Sequence, residues 1–85
     1  MEKYKIEFKQ SVVKELLSIP KKDLKRIILR IQALAIDPRP SGSIKLSNQE
    51  NYRIRMRNYR ILYSVEDDIL TVFVVKIGRR KDIYR

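Results

Sequence analysis

The chain changes its hydrophobic period along its length, and each change marks an element. "YKIEF" at 4–8 alternates Tyr4, Ile6 and Phe8 against Lys5 and Glu7, the period of a half-buried strand. From Ser11 the spacing lengthens. Val12, Val13, Leu16 and Leu17 recur at helical intervals, and Pro20 closes this short helix while offering a first-turn position to the next. The second helix starts near Lys21, with Leu24, Ile27, Ile28, Ile31, Leu34 and Ala35 on one side and Lys22, Lys25, Arg26 and Arg30 on the other. "DPRPSG" stops it, because Pro38 disfavours helical geometry at Asp37 and Pro40 extends the break.

Beyond this loop "SIKL" predicts a short edge strand and residues 52–57 a longer one. "YRILYSV" and "ILTVFVVKI" predict two more strands around the turn signal "EDD". A two-residue loop at Arg57 and Asn58 pairs Met56 with Tyr59, Arg55 with Arg60, Ile54 with Ile61 and Arg53 with Leu62. Cross-strand partners share a face, so Tyr52, Ile54, Met56, Tyr59, Ile61, Tyr63 and Val65 face the helices. Arg53, Arg55, Arg60 and Leu62 face the other way. A turn at Asp67 and Asp68 adds Leu70, Val72 and Val74 to the core face and Thr71, Phe73, Val75 and Ile77 to the arginine face. The expected fold is α+β, one domain over 1–85: an N-terminal strand, then a helical hairpin packed on one face of a small three- to five-stranded, mainly antiparallel sheet.

Composition narrows the chemistry. A chain of 85 residues buries only about 60 to 65% of the surface its unfolded form exposes, so the core is modest. Without cysteine there is no disulfide framework and no thiolate metal site; without histidine, the commonest general acid/base and metal ligand is missing. The N-terminus is charged from its second residue and the longest apolar run, "LTVFVV", is too short to span a bilayer, which predicts a soluble cytoplasmic protein. A net charge of +10 favours an anionic partner, nucleic acid first. The basic residues differ in kind between the two parts of the chain. Residues 1–50 carry eight lysines and three arginines, residues 51–85 two lysines and seven arginines, and guanidinium is the group suited to bidentate phosphate contacts.

The arginine face has a cost, since like charges directly opposite on a sheet destabilise it by up to about 1 kcal/mol and no acid within the hairpin offsets Arg55 against Arg60. A solvated strand face is the ordinary reading of alternating charge. An apolar floor of Leu62, Phe73, Val75 and Ile77 beside the arginines points instead to a binding surface. The final "GRRKDIYR" allows a bend at Gly78, adds Arg79, Arg80 and Lys81, and returns an aromatic ring at Tyr84. Arginine for phosphate and tyrosine for base stacking are the ingredients of single-stranded RNA binding.

The segments "NYRIRMRNYRILYSVEDD", "TVFVVKIGRR" and "DIYR", preceded by the helical path "LLSIPKKDLKRIILRIQALAIDP", resemble the RelE branch of the RelE/ParE superfamily of bacterial toxins over essentially the whole chain. The resemblance implies an endoribonuclease that enters the A site of the 70S ribosome and cuts mRNA there through attack of a ribose 2′-OH on the adjacent phosphate. It places Arg55, Arg60, Arg80 and Tyr84 in catalytic roles. Tyr84 would act as general base, Arg55 and Arg60 would stabilise transition-state charge, and Arg80 would help the leaving oxygen. Arg53 would hold the RNA backbone, with Arg57, Lys76, Arg79 and Lys81 as further RNA contacts. A cognate antitoxin would cover Leu62, Phe73 and Val75, and no metal or cofactor is implied. Arginine stands at 53 and 55 where the family pattern has lysine, and guanidinium does not give up a proton in proteins. The tail between Arg80 and Tyr84 is also shorter than the family's. Two other classes fit a basic chain of this kind: a ParE-like inhibitor of DNA gyrase, and an RNA- or ribosome-binding module without activity.

Overall fold

The computed structural model describes residues 3–46 and 51–79. Strand β1 (Lys5–Phe8) leads into helix α1 (Gln10–Leu17) and helix α2 (Lys21–Ala33), followed by β2 (Ile44–Lys45), β3 (Asn51–Met56), β4 (Tyr59–Glu66), a 3-10 turn (Asp67–Ile69) and β5 (Thr71–Arg79). The strands form a five-stranded mixed sheet in the order β1-β5-β4-β3-β2, with β1 parallel to β5 and the other pairs antiparallel. Pro20 takes the residue position just before α2 rather than its first turn. Its fixed φ suits either place, and it leaves the Leu24 N–H free to bond the Pro20 carbonyl at 2.8 Å.

The core lies between the helices and one sheet face. Val12, Ile27, Ile31 and Leu34 from the helical side meet Ile54, Ile61, Tyr63, Val65, Val72 and Val74 from the sheet, all essentially without exposure. The first hairpin has the register expected from its pattern, including Arg55 opposite Arg60 and Ile54 opposite Ile61. The α1 pattern is only half used. Val12 is buried, but Leu17 is 81% exposed, because a helix of eight residues on a narrow sheet covers it with a thin stripe.

The last strand departs from the expected faces. The β4–β5 register shifts between Leu62 and Tyr63, so that Leu62 pairs with Lys76 while Tyr63 pairs with Val74. Val75 is the extra residue of a bulge. One additional residue reverses the parity of everything after it. Ile77 therefore sits opposite Ile61 in the core at 2% exposure, and not on the arginine face; Val75 is 36% exposed. Leu70 is likewise not a core-face strand residue, since it closes the 3-10 turn with φ 46°.

In the β3–β4 loop the positive φ, 56°, falls on Arg57. A positive φ at the first loop position favours glycine, and a side chain there costs about 1–2 kcal/mol. Arg57→Gly is accordingly expected to stabilise the fold by about 0.5–1 kcal/mol, part of the relief being offset by glycine's greater freedom when unfolded. A urea midpoint that stays put or falls would contradict this.

The end of the sheet remote from that hairpin is tied by a polar clamp. Arg39 Nη2 donates to Asp67 Oδ2 at 2.8 Å and its Nε donates to the Tyr52 hydroxyl at 2.8 Å, with the guanidinium 5.3 Å from the Tyr52 ring centre. The Tyr4 hydroxyl donates to the same carboxylate. Tyr52 stacks on its cross-strand partner Tyr63 with centroids 5.8 Å apart, and the Tyr63 hydroxyl donates to the Pro38 carbonyl at 2.7 Å. Burial pushes the Tyr63 phenol up to about 12. Bonds from Arg39 and then Tyr4 hold the Asp67 carboxyl below its usual range. A depressed carboxyl pKa contributes stability above the unfolded value, about 4, and loses it as pH falls through the folded value. Asp67→Asn should thus flatten the acid side of a stability-against-pH curve while leaving its neutral slope alone; an unchanged acid limb would show that the clamp contributes nothing.

Candidate nucleic-acid interface

The sheet face away from the helices is built in rows by the strand register. One row runs Arg55, Arg60, Gly78; the next Ile44, Arg53, Leu62, Lys76; the next Asn51, Ser64, Phe73, Glu7. The two rows nearest the β3–β4 loop hold cations and apolar groups but no acid. The acids of this face gather at the other end, with Glu66, Asp67 and Asp68 at the second turn and Glu7 in the third row. Lys5 pairs with Glu7 and Arg39 with Asp67, so Glu66 and Asp68 leave that end net acidic, and the difference between the two ends sets a direction for any charged chain laid across the face.

Burial separates the arginines. Arg55 and Arg57 are exposed and Arg53 is partly covered, but Arg60 is only 2% exposed. A guanidinium so withdrawn from water acts through a lower dielectric, where its field on a nearby anion is far less screened than at the surface. Leu62 and Phe73 are partly covered, and with Ile44 and Val75, both exposed, they form the apolar floor. Ile44 has no place in the arginine face as read from the sequence, because "SIKL" gives too short a run to fix which of its residues faces which way; pairing with Arg53 fixes it.

The bulge at Val75 redistributes the other predicted contacts. Lys76 shares the row of Leu62, yet its ammonium turns round the sheet edge to Glu15 Oε2 of α1 at 3.1 Å. Arg79 pairs with Tyr59 and so points to the helix side, where Glu15, Ser18, Ile19, Tyr59, Ile77 and Arg79 help to line a cleft of about 360 Å³. Arg53, Arg55 and Arg60 are thus brought together, and Arg79 is set on the opposite face. Arg80, Lys81 and Tyr84 lie outside the described residues. Among the described residues no group of three or more carboxylates, histidines or cysteines is arranged to hold a metal ion. Nor is any described helix long and apolar enough to cross a membrane.

This combination of a parallel N-terminal strand, a helical hairpin and an arginine-faced antiparallel sheet has known counterparts. The family described as ParE toxin of type II toxin-antitoxin system, parDE, matches residues 6–84. The chain belongs to the RelE/ParE toxins. Among RelE-type members, the candidate toxin RelE1 of Methanocaldococcus jannaschii is 29% identical over 98% of this chain and 97% of its own. The archaeal RelE–RelB complex from Pyrococcus horikoshii OT3 matches with a TM-score of 0.82 at 26% identity, over 94% of this chain and 98% of that one. The RelB–RelE antitoxin–toxin complex from Methanococcus jannaschii matches with a TM-score of 0.73 at 30% identity, over 92% and 94%. The RelE-type sheet of this chain carries Arg53, Arg55 and Arg60 on the face away from the helical hairpin.

Proposed function

We propose that this RelE-type toxin is a ribosome-dependent endoribonuclease that cuts mRNA in the A site. The observation that carries the reading is the pair of acid-free rows, in which Arg53, Arg55 and Arg60 stand beside an apolar floor at one end of an open sheet face. Guanidinium groups in that position suit the phosphates of a single strand, and the floor suits its unstacked bases. The 2′-OH attacks the adjacent phosphorus, its proton passes to a base, and the 5′ oxygen leaves and takes up a proton from water, so that a 2′,3′-cyclic phosphate and a free 5′-hydroxyl result. Arg55 and Arg60 stabilise the charge that builds on the non-bridging oxygens, and Arg53 holds the backbone. Tyr84 is the base in this scheme and Arg80 the cation at the leaving oxygen, since neighbouring cations favour phenolate over phenol. No metal or cofactor enters the route. The protein acts in the cytoplasm, where the ribosomes are.

A cognate antitoxin covers the same face, with Leu62, Phe73 and Val75 as its apolar contacts and its own acids meeting the arginines. The two archaeal relatives in complex with RelB support such a partner. Primer extension on a defined mRNA, with and without programmed ribosomes, tests the activity. Cleavage within the A-site codon, only with ribosomes and weakened by Tyr84→Phe, is the expected result. No cleavage from folded protein under either condition would reject it and turn attention to inhibition of DNA gyrase supercoiling, the ParE-like alternative.

A further inference from the structure

Among the described residues, no strand pairs with the final run of β5 on its outer side. β1 stops at Phe8 opposite Val74, and the Lys9 N–H bonded to the Val74 carbonyl at 2.9 Å is the last contact between the two. β5 continues to Arg79. An outer strand edge carries backbone N–H groups that need a partner. Here a side chain supplies one: Glu15 Oε1 accepts the Ile77 N–H at 2.9 Å, and Oε2 accepts the Lys76 ammonium at 3.1 Å. One carboxylate thus grips two successive residues of β5 just past the bulge. The helix that carries it is fixed by Val12, which is wholly buried.

We propose that Glu15 is a positioning residue for the basic face. Its carboxylate accepts the N–H that an outer strand would otherwise take and sets the course of residues 76–79. That course places Gly78 opposite Arg60 and Arg79 opposite Tyr59, and draws Lys76 away from the open face. Gly78 brings no side chain against Arg60, so a shift of this strand end changes the space around the most buried cation of the face. The proposal rests on the reading of that face as an RNA site.

The variants are Glu15→Gln, whose amide oxygen still accepts the Ile77 N–H, and Glu15→Met, a good helix former of similar length that offers no strong acceptor. Small misplacements at a reacting site cost up to about a hundredfold in rate. Glu15→Met is expected to lower kcat for ribosomal mRNA cleavage about tenfold with KM within about twofold, and to speed amide hydrogen exchange at Ile77; Glu15→Gln should stay within about threefold of wild type and keep that amide protected. Equal rates for the two variants, or an Ile77 amide still protected in folded Glu15→Met, would overturn the proposal. Should Glu15→Met not fold, Glu15→Gln decides alone: a near wild-type rate supports it and a tenfold loss rejects it. If wild type itself does not cleave, the reading of the activity falls separately. Glu15 is then judged by fluorescence anisotropy of a labelled short single-stranded RNA, where weakening by Met and restoration by Gln support the role and unchanged affinity rejects it.

Discussion

Ile77→Lys will remove most of the stability of this protein, and Val75→Lys will remove almost none. The two residues lie two positions apart in one strand and an uninterrupted strand would give them the same face. The bulge separates them: Ile77 is 2% exposed against Ile61, and Val75 is the additional residue at the surface. An ammonium forced into that core has no partner, and an uncompensated buried charge costs about 3–5 kcal/mol or more, a large share of the roughly 5–15 kcal/mol that stabilises a typical domain. Lysine at Val75 reaches water directly and should stay within about 0.5 kcal/mol of wild type, as surface substitutions usually do. Chemical denaturation of the two variants checks this. Equal losses, or a larger loss at Val75, would mean that the strand runs without the bulge.

Arg60→Ala is the second large effect, and it separates activity from stability. Loss of one preorganised donor to a charge that develops in the transition state costs about 10²–10³ in rate. The fold should lose far less, because the packing lost at this buried position is offset in part by removal of the like charge directly opposite Arg55, a repulsion of up to about 1 kcal/mol. The expected variant is therefore folded, with an unfolding midpoint close to wild type, and at least a hundredfold slower on ribosomes. Arg60→Lys should not restore the rate, since an ammonium lacks the planar pair of donors that a phosphate accepts. A variant that unfolds instead would make Arg60 a structural residue, and one that cleaves normally would remove it from the site.

How far the sequence could be read depended on where the periodicity was unbroken. The hairpin from Asn51 to Glu66 was legible because a tight loop fixes register and register fixes faces; the order of cations and apolar residues then follows by counting. Counting fails at the first irregularity. Nothing in "TVFVVKI" singles out Val75, since every residue from Thr71 to Val75 is acceptable on either face, and the register shift shows only in the pairing with β4. The same shift sets Arg79 opposite Tyr59, on the helix side. Glu15 gave no signal at all: an acid on a short helix reads as a solvated group, and its bond to Ile77 spans a separation that local pattern does not reach. Arg39 was read only as part of a loop, although the structure makes it the hub that joins the residues after α2 to β3 and to the second turn.

The pairing of β1 with β5 also bears on how this chain is made. β1, which precedes the other described strands, has as its sheet neighbour β5, which follows them, Lys5 lying beside Thr71 and Phe8 beside Val74. Contacts between such distant parts of a chain form late, after the loop-closure cost has been met. During translation β1 and α1, which pack on β5, must wait until residues 71–74 have left the ribosome. The assembled basic face accordingly belongs to the finished chain, and a truncated product ending before β5 lacks the strand that completes its rows.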